Sequence, residues 1–97
     1  MRVIAKRTLR EFWKKNAIAE QPLKAWFQEA ELADWTGPAE VKRIFPSVSI
    51  LMDNRLVFNI KGNQFRLIVK VNYTYKMMWI RFVGSHAEYD KIDATTI

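Results

Sequence analysis

The sequence predicts one two-layer α+β domain, in which N-terminal helices pack on one face of an antiparallel sheet and the opposite face is basic. Three observations predict it. Apolar residues recur at helical spacing up to about Phe45. From about Val48 to Gly84 they alternate, and β-branched and aromatic residues take over. The alternating segments then divide into a wholly apolar list and a cation-rich one. With 97 residues, 49% of them hydrophobic and including four Trp and six Phe, residues 1–97 are expected to form a single domain around one core.

Arg2-Val3-Ile4 reads as a short extended start. Thr8, with Glu11 three residues on, has the spacing of a capping box, and predicts a helix with Leu9, Phe12 and Trp13 on one face, which Ile18 would extend. Pro22 suits the first turn of a second helix, in which Leu23, Trp26, Phe27 and Ala30 share a stripe down to about Ala33. Thr36-Gly37-Pro38 opens a third, short helix carrying Val41, Ile44 and Phe45, and Pro46 ends it. Ser49-Ile50-Leu51 is a strand and Asp53-Asn54 a turn. Leu56 to Lys61, Phe65 to Tyr73 and Met77 to about Val83 are three further strands, expected as an antiparallel meander. Asp93 to Ile97 read as a frayed tail.

Alternation puts Leu56, Phe58 and Ile60, then Phe65, Leu67, Val69 and Val71, then Met78, Ile80 and Phe82 on one face, which the helices would cover. The other face collects Val57, Asn59, Lys61, then Arg66, Ile68, Lys70, Asn72, then Met77, Trp79, Arg81 and Val83. Lys61, Arg66, Lys70 and Arg81 stand there with no acid among the strand positions, whereas an ordinary wet sheet face mixes both signs. A cluster of one sign suits a phosphate backbone, and Trp79 offers a plane for a base to stack on. The whole chain is basic as well, with a formal net charge of +6. The only His, His86, falls with Tyr89 just past the last strand, at the rim of this face. Imidazole exchanges protons near neutral pH, although a lone His at a strand end is more often a surface group.

Other chemistries lack their residues. There is no Cys, only one His and no carboxylate cluster at ligand spacing, so neither a metal nor any other cofactor is expected. Gly37, Gly62 and Gly84 are isolated, so there is no phosphate loop, and Ser85 beside His86 on an extended chain would point the other way. No apolar run approaches the roughly 18 residues of a membrane span. Met1-Arg2-Val3-Ile4-Ala5-Lys6 is too short and charged for a signal peptide. A cytoplasmic protein with no membrane partner is expected.

Three sheet segments, Val57-Phe58-Asn59-Ile60-Lys61-Gly62-Asn63, Phe65-Arg66-Leu67-Ile68-Val69-Lys70 and Ile80-Arg81-Phe82-Val83-Gly84-Ser85-His86-Ala87-Glu88-Tyr89-Asp90-Lys91-Ile92, resemble the HigB branch of the RelE-like toxins. The opening Met1 to Lys6 and Ala25-Trp26-Phe27 are similar too, so the resemblance spans essentially the whole chain. It implies a type II toxin–antitoxin toxin that enters the ribosomal A site, cuts mRNA there and inhibits translation. It also implies a HigA-like helix-turn-helix antitoxin as partner. The family's active-site positions match Arg66 and His86; relatives of the RelE type commonly carry Arg at the second, and an aromatic hydroxyl further on, for which Tyr89 stands here. The expected catalytic set is therefore Arg66, His86, Lys61 and Tyr89, with Lys70, Arg81, Trp79, Asn59 and Arg55 binding RNA. A non-catalytic RNA- or ribosome-binding module is the alternative.

Overall fold

The computed structural model describes residues 1–97. The chain runs through β1 (Arg2–Ile4), α1 (Lys6–Lys15), a 3-10 turn (Ala17–Ala19), α2 (Glu20–Leu32), α3 (Pro38–Ile44), β2 (Ser49–Leu51), β3 (Arg55–Ile60), β4 (Phe65–Asn72), β5 (Met77–Ser85) and α4 (His86–Tyr89). The five strands form one sheet in the order β1-β5-β4-β3-β2, antiparallel except where β1 runs parallel to β5. Helices α1 to α3 lie toward one face, and Leu9, Leu23, Trp26, Ala30 and Val41 pack with Leu56, Phe58, Leu67, Val69 and Met78 in one cluster. The two-layer α+β expectation holds.

Local chemistry accounts for the joints. Leu51 pairs with Arg55 across a three-residue connection, in which Asp53 and Asn54 both adopt the left-handed backbone (φ 58 and 57) that Asx residues tolerate. Lys61 and Gly62 are likewise left-handed (φ 53 and 65) in the turn joining β3 to β4. Lys61 is therefore an exposed turn residue and not, as alternation suggests, a member of the sheet face. At the other end of the molecule the Met1 ammonium donates to the carbonyls of Ala30, Glu31 and Ala33 at 2.9, 2.9 and 2.6 Å. A positive group there satisfies the orphan carbonyls at the end of α2 and complements its dipole.

Two helix boundaries differ from expectation. Helix α1 starts at Lys6, immediately after left-handed Ala5, because β1 is tied beside β5 and the chain must turn at once. Thr8 is thus inside the helix, and Glu11 pairs with Arg7 at 2.8 Å instead of closing a capping box. Asn16 (φ −131) ends α1, so Ile18 lies in the 3-10 turn and is exposed.

The largest correction concerns β5. Ile68 stands opposite Phe82 but Val69 stands opposite Ile80, so Arg81 is an extra residue, a β-bulge. Past it the parity of β5 inverts. Phe82 joins the face away from the helices, and Val83 packs against the core in its place. Nor is the tail frayed: the Ile97 carbonyl accepts from Arg55 Nε and Nη2 at 3.1 and 2.9 Å, which lays the C-terminal segment against the sheet.

Candidate active site

Asn59, Arg66 and Gly84 occupy one row across β3, β4 and β5 on the face away from the helices. Gly84 is what allows a second layer to form above this row. A methyl group in place of its hydrogen would stand 2.6 Å from Phe82 Cζ and 3.2 Å from Glu88 Cβ, so the absent side chain makes room for the Phe82 ring and for α4. Gly84→Ala is expected to displace both, at about 1–3 kcal/mol of stability, checked by chemical denaturation.

Helix α4 begins directly after Ser85, whose hydroxyl accepts from the Glu88 N–H at 3.1 Å while the Ser85 N–H donates to Glu88 Oε1 at 2.8 Å, a complete capping box. The His86 N–H also donates to the Gln64 carbonyl, which ties α4 to the β3–β4 turn. The Ser85 hydroxyl is thus engaged as a cap. The Ser85 N–H holds the Glu88 carboxyl below the ordinary glutamate value of 4.5, and the Ser85 hydroxyl bond adds to this. Because the folded value is the lower one, this support for α4 is complete above pH 4.5 and is lost as pH falls through the folded value. Amide exchange of α4 should accelerate selectively below that pH, and in Glu88→Gln the acid-dependent step should vanish.

On this short helix His86 Nδ1 lies 3.2 Å from Asp90 Oδ2, and both side chains are about half exposed. A carboxylate at one ring nitrogen orients the imidazole and leaves Nε2 directed away from it. The Tyr89 ring lies 5.7 Å from the Arg66 guanidinium carbon. The Arg66 side chain forms no hydrogen bond or ion pair, and its Nη1 is buried without an acceptor. A buried guanidinium donor with nothing to bind is costly in a folded protein and is expected where an anion is to arrive.

The structure therefore sets Tyr89 near Arg66, with His86 on the same short helix as Tyr89 and Asn59 beside Arg66. Lys61 lies at the same end of the sheet, where it lines a separate cavity of about 180 Å³ with Asn59, Trp26 and Phe45. Lys70, Trp79 and Arg81 form a second group, lining a shallow cavity of about 260 Å³. Arg55, expected to be an exposed cation, is instead 6% exposed and engages Asp53 at 2.7 Å as well as Ile97. The face is also not free of acids, because Asp53 reaches it from the turn, near enough to Lys70 (3.5 Å) to pair. The Arg55 hydrogen bond, with Lys70 nearby, holds the Asp53 carboxyl below its ordinary value. The sequence offers Tyr89 or Asp90 as the group that orients His86; Asp90 is the one at the ring, through an i,i+4 relation that needs a helix. The signal for that helix was present in Ser85-His86-Ala87-Glu88, which has the same capping-box spacing as Thr8 to Glu11. No three His, Cys, Asp or Glu side chains gather at metal-ligand spacing, and no helix is long and apolar enough to cross a membrane.

A helical layer on one face of an open, mostly antiparallel sheet, with cations on the other, is the layout of a RelE-like toxin. Residues 19–92 match the HigB toxin family, described as the RelE-like toxic component of a toxin-antitoxin system, and the chain belongs to that family. It is similar to the mRNA interferase HigB of Escherichia coli O6:H1 (strain CFT073), at 26% identity over 94 residues that cover 95% of this chain and 91% of the relative. It is also similar to the mRNA interferase toxin HigB of Escherichia coli K12 and the mRNA interferase HigB of Shigella flexneri, each 28% identical over 92 residues, covering 93% of this chain and 88% of the relative.

Proposed function

We propose that this protein is a ribosome-dependent mRNA endoribonuclease that inhibits translation and needs no metal ion. The observation that carries the proposal is the unpartnered buried donor of Arg66 near Tyr89, on whose short helix His86 is held by Asp90. In the reaction the 2′-oxygen of one nucleotide bonds to the adjacent phosphorus as the bond from phosphorus to the 5′-oxygen breaks. The products are a 2′,3′-cyclic phosphate and a 5′-hydroxyl. The 2′-hydroxyl loses one proton and the leaving oxygen gains one, so no redox partner or co-reactant is needed.

His86 exchanges protons with the reacting oxygens while Asp90 fixes its ring. Arg66, assisted by Lys61 from the turn, stabilises the charge that grows on the phosphorane oxygens. Tyr89 backs the Arg66 guanidinium and orients the substrate. Lys70, Arg81, Trp79 and Asn59 hold the RNA along the sheet, whereas Arg55 supports the face from within. The substrate is a message in the ribosomal A site in the cytoplasm, and a HigA-like helix-turn-helix antitoxin holds the enzyme silent. The likeness to proteins named mRNA interferases supports the reaction class.

The test is induced expression of the wild type beside a folded Arg66→Ala, His86→Ala double variant. Growth arrest with cleaved messages from the wild type alone is expected. Equal behaviour of the two at equal soluble levels would leave a non-catalytic RNA-binding module as the better account.

A further inference from the structure

The two cationic groups on the sheet are not one continuous groove. Arg66 and Lys70 stand four positions apart on β4, with Ile68 between them on the same face. That separation is about 13 Å at the strand rise of about 3.3 Å per residue. Ile68 and its cross-strand neighbour Val57 are 0% and 2% exposed, although neither belongs to the core cluster beneath the helices. The space between the groups is thus apolar and covered.

At the far end Trp79 pairs in register with Lys70, and the bulge places Arg81 two residues on. All three line the open cavity of about 260 Å³. Trp79 is only half-buried. The contacts its neighbours make are long ones, Lys70 to Asp53 at 3.5 Å and Arg81 Nε to the Ile97 carbonyl at 3.4 Å, which a phosphate can replace. An aromatic plane between two weakly engaged cations is the composition that holds a base together with its phosphate.

We infer that Trp79, Lys70 and Arg81 form a separate nucleobase-binding subsite, which takes a nucleotide flanking the cleaved phosphate rather than one adjoining it. A stacked strand covers about 13 Å in about four nucleotides at its spacing of about 3.4 Å, and a drawn-out strand covers it in fewer. The subsite matters only if the face binds RNA, as proposed above.

The experiment measures the affinity of the full-length protein for 2′-deoxy oligonucleotides of two to six residues, which lack the attacking hydroxyl, by fluorescence anisotropy. In hexamers, one abasic position is moved along the strand. Trp79→Ala should weaken the hexamer about 5- to 150-fold, the range that loss of one base–aromatic stack produces, and leave the dimer unchanged. Trp79→Phe should restore binding. One abasic position should weaken the wild type by the same factor and have no further effect in Trp79→Ala. Equal loss for dimer and hexamer, additive losses, or no loss would overturn the subsite. Arg66→Ala separates the two ideas. If it weakens dimer and hexamer alike, the RNA-face proposal holds whatever Trp79 does; if the wild type binds no oligomer, the subsite falls, while the induced-expression comparison still decides the ribosome-dependent activity.

Discussion

Arg66→Met should lower message cleavage about 10²- to 10³-fold, the usual loss on removing one group that stabilises transition-state charge, without lowering the melting temperature. Most substitutions of a partly buried residue destabilise, so the sign is informative. Methionine keeps the unbranched stem of Arg66 and leaves the backbone pairing to Asn59 and Gly84 intact. What is lost is the approach of the guanidinium to Tyr89, about 0.5–1 kcal/mol. What is relieved is the burial of Nη1 without an acceptor, about 1–3 kcal/mol. The relief is the larger, so the variant should be as stable as the wild type or more so. Thermal unfolding and mapping of message 5′ ends check the two halves. A variant that melts well below the wild type would mean that the guanidinium is structural.

His86→Ala should lower cleavage about 10²- to 10⁴-fold, the range for loss of a proton-transfer group. Stability should change by no more than about 0.5 kcal/mol, since the side chain is about half exposed. Asp90→Asn distinguishes positioning from chemistry. It keeps an oxygen for Nδ1–H but removes the carboxylate charge, so cleavage should fall less than in His86→Ala. Cleavage rates of the wild type and both variants are the measurement. A wild-type rate in Asp90→Asn would remove Asp90 from the mechanism, and a fully active His86→Ala would remove His86.

Much of the fold was legible because the chain states it locally. The Asp53-Asn54 turn, the Pro22 and Pro38 helix starts and the apolar lists of β3 and β4 follow from residue type and period alone. The bulge at Arg81 was not legible, because counting by twos continues smoothly through Ile80-Arg81-Phe82 and only the partner strand reveals the extra residue. The same limit hid Asp53 and Ile97 on the cationic face, since both arrive from outside the strands. In the site, Arg66 and His86 could be picked from the face list and the resemblance. Their assembly depends on Gly84, Phe82 and the Ser85 cap, contacts set by the inverted parity of β5.

The parallel pairing of β1 with β5 gives the chain an order of manufacture. Arg2 pairs with Met77, 75 residues further along, so this edge of the sheet closes only after the intervening helices and strands have been translated. Arg66 and α4 belong to that same late portion. At the usual elongation rate of about 5–20 residues per second, the nascent chain spends roughly 4–15 s between its first strand and the strand that completes it. The helices and the β3–β4 hairpin therefore have seconds in which to form before the last edge of the sheet can close.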